Sequence, residues 1–295
     1  MNRETVDSTF ERVTPDGIRL NIYRWVPVQN PGNGDGNRPE SIAPPRAILV
    51  VVHGIQEHAG RYAEMARRLN RSGIAVWAPD LRGHGRSSGN RIWVHHFDQY
   101  LDDMSLILAD ARATHPNLPI FLFGHSMGGL IALQPRFAAA DGPVGLILSA
   151  PALHVADEFI PFLRKLAVFG SRWFPWARLA RVGCSTMSRD PLVVADYRRD
   201  PLVYHGRIPT RTGAEIIRVG EETRRRAANI NASMLVLQGT ADAVVLCRAT
   251  ESFYQAVGSG DKTLRLYPGL YHDIPREPEK EEICTEIANW ILARC

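Results

Sequence analysis

The stretch Gly124-His125-Ser126-Met127-Gly128 stands between the apolar run PIFLFG and the helical pattern that follows it. A serine on a sharp strand-to-helix turn exposes its hydroxyl and places it at a helix amino terminus, where N–H groups and the dipole favour an anion. Such a serine can attack a carbonyl only if a base takes its proton and an acid orients the base. Beyond Ser126, the run VGLILSAP ends without an acid, SMLVLQGTAD ends in Asp242, and TLRLYPGLYHD delivers His272, the only one of ten histidines beyond Asp242. The order serine, acid, histidine, each following an apolar run, is the order that nucleophile-elbow chemistry uses. Asp80 precedes the serine and is better placed to anchor the loop LRGHGRSSG. Asp273 adjoins His272 and cannot easily reach its ring, and a helix N-cap is the other role open to Asp242.

Acyl transfer also needs two donors for the oxyanion of the tetrahedral intermediate, each worth about 3–4 kcal/mol of barrier lowering. The N–H of Met127, directly after the serine, is one candidate. The other is the N–H of Ile55 in HGIQEHAGRY, the polar stretch released by the apolar run AILVVV.

The runs that must hold these residues are AILVVV, IAVWAP, PIFLFG, VGLILSA, SMLVLQG and TLRLYP. Continuous apolar strands of this kind are buried on both faces of a parallel sheet. Helical patterns near residues 61–71, 97–114, 127–140, 248–257 and 277–293 alternate with them, and STFERVTPDGIRLNIYRWVP reads as an opening hairpin. Pro135 is expected to bend the helix that starts at Ser126 without disturbing the elbow. The Gly- and Pro-rich stretch 28–46 reads as a flexible surface insertion. Residues 155–226 break the alternation with a mostly helical block without a clear strand. The division that follows is a first core part over 1–154, a helical cap over 155–226 and a second core part over 227–295.

A chain of 295 residues is long enough for one large α/β domain. It has no apolar stretch of the roughly 20 residues that span a bilayer, and its polar amino terminus does not read as a signal peptide, so a cytoplasmic location is expected. Cys184, Cys247, Cys284 and Cys295 are scattered and show no metal-ligand spacing. The net charge of +4 is too small to argue for nucleic acid. Its distribution is informative: residues 155–220 hold 11 Arg or Lys against 6 Asp or Glu, a surplus of five. From Phe159 to Trp176 the block is apolar and aromatic, interrupted by Arg164, Lys165 and Arg172. That composition suits an acyl channel with a basic rim able to rest on an anionic membrane surface.

Taken together, HGIQEHAGRY, APDLRGHGRSSG, FGHSMGG, SRDPLVVADYRRDPLV, LQGTAD and KTLRLYPGLYHD resemble the monoacylglycerol lipase group of the serine α/β-hydrolases, over most of the chain from about Ala47 onward. The resemblance implies an α/β-hydrolase fold: a mostly parallel central sheet, helices on both faces and a helical cap. It implies Ser126 as nucleophile, Asp242 as acid, His272 as base, and Ile55 and Met127 as oxyanion donors. Glu57 and Arg61 fall on positions lining the polar end of the pocket, and Tyr197 matches a cap tyrosine near that end; a local salt bridge is the competing role for Glu57 and Arg61. The implied reaction is hydrolysis of a monoacylated lipid ester through an acyl-enzyme, with no metal or organic cofactor and no nucleic-acid partner. Lysophospholipase, broad-specificity carboxylesterase and proline-type aminopeptidase activities share the fold, and a non-catalytic ligand-binding protein is the alternative outside enzymes. One departure stands out: Gln56 occupies a position where the group has glycine, so it should point to solvent or narrow the polar end.

Overall fold

The computed structural model describes residues 5–29, 41–42, 44–138, 142–154, 173–180 and 183–295. The opening hairpin pairs β1 (Thr5–Val13) with β2 (Arg19–Gln29) in antiparallel fashion around the Thr14–Gly17 turn, where the Gly17 N–H donates to the Thr14 carbonyl at 2.9 Å. The remaining long strands are β4 (Ala47–Val52), β5 (Ile74–Pro79), β6 (Ile120–His125), β7 (Gly145–Ser149), β10 (Met234–Gly239) and β11 (Lys262–Tyr267). They lie in the order β1-β2-β5-β4-β6-β7-β10-β11, parallel from β5 onward, with β2 antiparallel to β5.

The alternation of side chains along these strands feeds two cores. Ile48, Val50 and Val52 of β4 join Ile120 and Leu122 of β6 and Met234 and Val236 of β10 on one face. Ala47, Leu49 and Val51, with Phe121, Phe123, Leu235 and Leu237, point to the other. The first face is covered by α2 (Asp98–Thr114) and α3 (Met127–Ala132), whose Met104, Ile107, Leu130 and Ile131 are buried there. The second is covered by α1 (Ala63–Arg71) and α7 (Lys280–Leu292), through Met65, Leu69, Ile283, Ile287 and Ile291. Burying each large aliphatic side chain contributes about 1.5–3 kcal/mol, which is why these runs are apolar throughout and not alternating. The result is a three-layer α/β-hydrolase fold with strand carboxyl ends gathered along one edge.

Three expectations are corrected. The helix after Ser126 does not bend at Pro135; α3 ends at Ala132, and residues 133–138 form turns. Proline has no N–H for the ladder and clashes with the preceding turn, so the short helix stops ahead of it. The block 155–226 is not free of strands, because β8 (Arg178–Ala180) pairs with β9 (Ile208–Pro209). Part of the insertion is tied down too, since β3 (Ser41–Ile42) pairs with β2 at Val28 and Gln29. The apolar stretch 159–172, with the acyl channel and the Arg164, Lys165 and Arg172 rim read there, lies outside the described residues.

In the described part of that block, α4 (Pro191–Arg199) starts on Asp190, whose carboxylate accepts the Leu192 N–H at 2.9 Å, with Pro191 at the first helical position. α5 (Thr210–Arg225) packs Ile216 and Val219 into the α2–α3 core, and Glu215 accepts the Phe97 N–H at 3.0 Å. α6 (Cys247–Ala256) follows β10 and buries Phe253 in the same core.

Candidate active site

Ser126 sits between β6 and α3 with φ 53° and ψ −116°, a conformation costly for any residue with a Cβ. Its N–H donates to the Ser149 carbonyl at 2.9 Å, and its carbonyl accepts the Gly129 and Ala152 N–H groups at 3.0 Å each, so the turn is held from both sides. The flanking glycines are required by close approach. A Cβ on Gly128 would lie 2.1 Å from the Val52 carbonyl oxygen, and one on Gly124 would lie 2.4 Å from that of Gly128.

Asp242 follows β10, and His272 follows β11. His272 Nδ1 lies 2.8 Å from Asp242 Oδ2, with both side chains buried. The carboxylate keeps the proton on Nδ1 and leaves Nε2 as the basic nitrogen. Asp242 is itself fixed: Oδ1 accepts the Val244 and Val245 N–H groups at 2.8 and 2.9 Å, and Oδ2 accepts Gln238 Nε2 at 3.1 Å. Burial alone would raise the Asp242 pKa, but His272 and these donors outweigh it and the net shift is downward. Burial alone would lower the His272 pKa, but Asp242, then Asp273 and Glu57, turn the net shift upward. The ring of His125, next to the serine, lies 4.8 Å from that of His272. Burial first and the His272 charge second push His125 down to about 4, so it stays neutral beside its neighbour.

The loop after β4 closes over the serine: a Cβ on Gly54 would sit 3.3 Å from Ser126 Cβ, which brings the Ile55 turn against the elbow. His53 accepts the Leu81 N–H on Nε2 at 3.0 Å, and its Nδ1 lies 2.7 Å from the Gly54 carbonyl, to which it donates in that tautomer. Asp80 anchors loops as expected, accepting the Ala59 and Arg86 N–H groups at 2.8 Å each. Gln56 does not point to solvent. It is 1% exposed, has φ 69°, and its Nε2 donates to the Tyr204 and Gly206 carbonyls at 3.0 and 2.7 Å.

Glu57 is deeply engaged. Oε1 accepts the Gly54 N–H and the Tyr62 hydroxyl, each at 2.8 Å, while Oε2 meets Arg61 Nε and Arg276 at 3.3 Å each. Both oxygens are engaged inside the protein, so the loop-shaping salt bridge weighed for Glu57 is present. Arg61 also reaches Asp273 at 3.2 Å, and Arg276 grips both Asp273 oxygens at 2.6 Å. Burial would raise the Glu57 and Asp273 pKa values, but the two guanidiniums hold both below the ordinary carboxylate range. The Arg61 guanidinium lies 4.7 Å from the centre of the buried Tyr197 ring, so these two expected site residues do meet. Beside them opens a cleft of about 220 Å³ lined by Arg61, Tyr62, Asp196, Asp200 and Arg276 among others. A larger hollow of about 1160 Å³ lies away from this chemistry, between β11 and α7, and is a groove at the sheet edge.

Sequence reasoning missed two supports of the site. Gln238 is a fully buried polar residue inside apolar β10, and the Thr250 hydroxyl donates to its Oε1 at 2.8 Å. Glu277, also fully buried, accepts the Tyr271 N–H at 2.9 Å and Arg189 Nε at 3.0 Å, while the Asp273 N–H donates to the Met187 carbonyl at 2.7 Å. A polar residue within an apolar strand was a signal available for Gln238; nothing local distinguished Glu277, which lies ahead of the carboxyl-terminal helix, from the acids that follow it.

An elbow serine, a buried His–Asp pair and a three-layer parallel sheet define a hydrolase of the α/β-hydrolase fold. Residues 43–279 match the family model described as serine aminopeptidase, S33, and the chain belongs to that family. It is 34% identical to a monoacylglycerol lipase of Mycolicibacterium smegmatis over 94% of each chain, and 33% identical to a monoglyceride lipase of Rattus norvegicus over 85% of this chain and 84% of that one. The crystal structure of the Paleococcus ferrophilus monoacylglycerol lipase, 31% identical, superposes with a TM-score of 0.78 over 86% of this chain and 96% of that one.

Proposed function

We propose that the chain hydrolyses monoacylglycerols through an acyl-enzyme on Ser126. The observation that carries the reading is the buried Asp242–His272 pair, whose imidazole lies 4.8 Å from the ring of His125, the residue before an elbow serine held from both sides. Ser126 Oγ attacks the ester carbonyl as His272 Nε2 takes its proton. The oxyanion is received by the Ile55 and Met127 N–H groups. Collapse expels the glycerol oxygen, which takes the proton back from His272. Water, deprotonated by the same nitrogen, then releases the fatty acid and restores the serine. Arg61 and Tyr197 border the polar end, and Glu57 holds the Gly54 turn and Arg61 in place.

The similarity to named monoacylglycerol lipases along nearly the whole chain supports this substrate class. The family description raises a second reading, aminopeptidase activity, which needs acidic groups free to hold a substrate ammonium. Glu57 and Asp273 are instead neutralised by Arg61 and Arg276, and Asp200 lies 2.7 Å from His58. A matched panel of monoacylglycerol, diacylglycerol, lysophosphatidylcholine, p-nitrophenyl ester and proline amide, with Ser126→Ala as control, tests the assignment. Turnover greatest on the monoacylglycerol is the expected outcome; a preference for the amide or the lysophospholipid overturns the substrate.

Peripheral contact with an anionic membrane belongs to the same reading. Trp173, Phe174 and Leu192 are 71%, 72% and 72% exposed, with Arg178 nearby on β8. Among the described residues no helix is long and apolar enough to cross a membrane. Sedimentation with phosphatidylglycerol vesicles, weakened in Trp173→Ser/Phe174→Ser, is the expected result; equal pelleting of both proteins sinks the contact.

A further inference from the structure

We propose that Gln56 is a positioning residue that fastens the loop carrying the Ile55 N–H to the 200–206 segment, so that the oxyanion donor is set from outside the sheet. The proposal rests on the ester-hydrolase reading of Ser126. Gln56 adopts a left-handed φ of 69°, where glycine would be unstrained, and is nonetheless 1% exposed. Its side-chain amide donates to the carbonyls of Tyr204 and Gly206, and its own carbonyl accepts the Tyr204 N–H at 2.8 Å. Two residues on, His58 Nε2 lies 2.7 Å from Asp200 Oδ2. The loop is therefore held to one distant segment by a backbone bond, an amide clamp and the His58–Asp200 contact. The first two come from the residue next to Ile55, and of these only the clamp depends on its side chain.

The same segment leads outward. Tyr204 carries the Arg178 guanidinium 5.6 Å from its ring centre, and Arg178 belongs to the β8–β9 pair that follows the exposed aromatics Trp173 and Phe174. Trp176 stacks on Trp93 at 3.5 Å. A displacement of this outer surface thus has a route of contacts to the oxyanion loop, through the Arg178 guanidinium, the Tyr204 ring and the hydrogen bonds of Gln56. Glycine at position 56 would relieve the backbone strain and remove the side-chain clamp, leaving only the backbone bond to Tyr204 and the His58–Asp200 contact. Methionine would keep the volume and remove only the amide.

The experiment compares full-length wild type with Gln56→Gly and Gln56→Met. Hydrogen exchange is followed in peptides covering 53–62 and 200–207, and kcat and KM are measured on a p-nitrophenyl ester. Both variants are expected to exchange faster in both segments together and to lose about 10-fold in kcat with KM changed less than about twofold, the mark of a misplaced oxyanion donor. In Gln56→Gly the relieved strain offsets the two lost hydrogen bonds, so melting should move by no more than about 3 °C while kcat falls. A merely structural role would move melting and leave kcat alone. Exchange that changes only beside residue 56, or a kcat within about twofold of wild type in both variants, overturns the proposal. If wild type cleaves no ester, the hydrolase reading fails, and the exchange pattern alone still decides whether Gln56 couples the two segments.

Discussion

At the scale of single residues, the site separates two pKa tendencies that burial alone would have driven the wrong way. Asp242 stays ionised because its two oxygens accept three N–H groups besides the imidazole, and that charge keeps His272 basic in a dry setting. Since a neutral His272 is the proposed base, kcat/KM should fall as pH drops through a pKa above the ordinary histidine value. Asp242→Asn removes the largest influence raising that pKa and the partner that fixes the tautomer. Activity should drop about 10³–10⁴-fold, and the remaining acid limb should move to lower pH; a limb that stays or rises would contradict the assignment. Ser126 bears backbone strain of the kind the proposed nucleophile role calls for. Ser126→Gly should abolish turnover yet raise stability by about 1 kcal/mol, read in chemical denaturation.

Elements decide whether those residues can meet. The elbow is a contact between three pieces, the ends of β4 and β6 and the start of α3, drawn to within a carbonyl's reach at Gly128. Gly128→Ala places a methyl in the Val52 carbonyl, so β4 and α3 must part. The expected result is a loss of several kcal/mol in denaturation and activity near background, whereas Gly17→Ala, with open space at its Cβ, should cost only about 1 kcal/mol of turn strain. The inner strands were legible because burial on both faces demands unbroken apolar runs. The 2- and 3-residue strands β8 and β9 were not, since such lengths leave no periodicity to read. Pro135 was visible, but whether a helix bends or stops there depends on how much packing lies beyond it.

At the scale of the whole molecule, a buried electrostatic group is formed by Glu57, Asp273, Arg61 and Arg276. It joins the loop after β4 to the segment after His272. Both carboxylates have depressed pKa values, so their contribution is present above the unfolded value near pH 4 and is lost as pH falls toward the folded one. Asp273→Asn leaves the guanidiniums undercompensated and should cost about 3–5 kcal/mol at neutral pH. The gap between variant and wild type should narrow as pH falls below about 4, where the unfolded wild-type chain takes up the proton that the folded one still resists; thermal unfolding across pH checks this, and a constant gap contradicts it.

The chain's own order of residues determined the parallel sheet, the identity of the candidate nucleophile and the pairing of Asp242 with His272. Strand burial and a turn that needs Gly124 and Gly128 are local requirements, written within a few residues of each other. Only the tertiary structure decided what Gln56, Glu57, Gln238 and Glu277 do. Each acts through a partner far off in sequence or on another element, and a polar side chain carries no mark of which distant donor or carbonyl will satisfy it once both are buried.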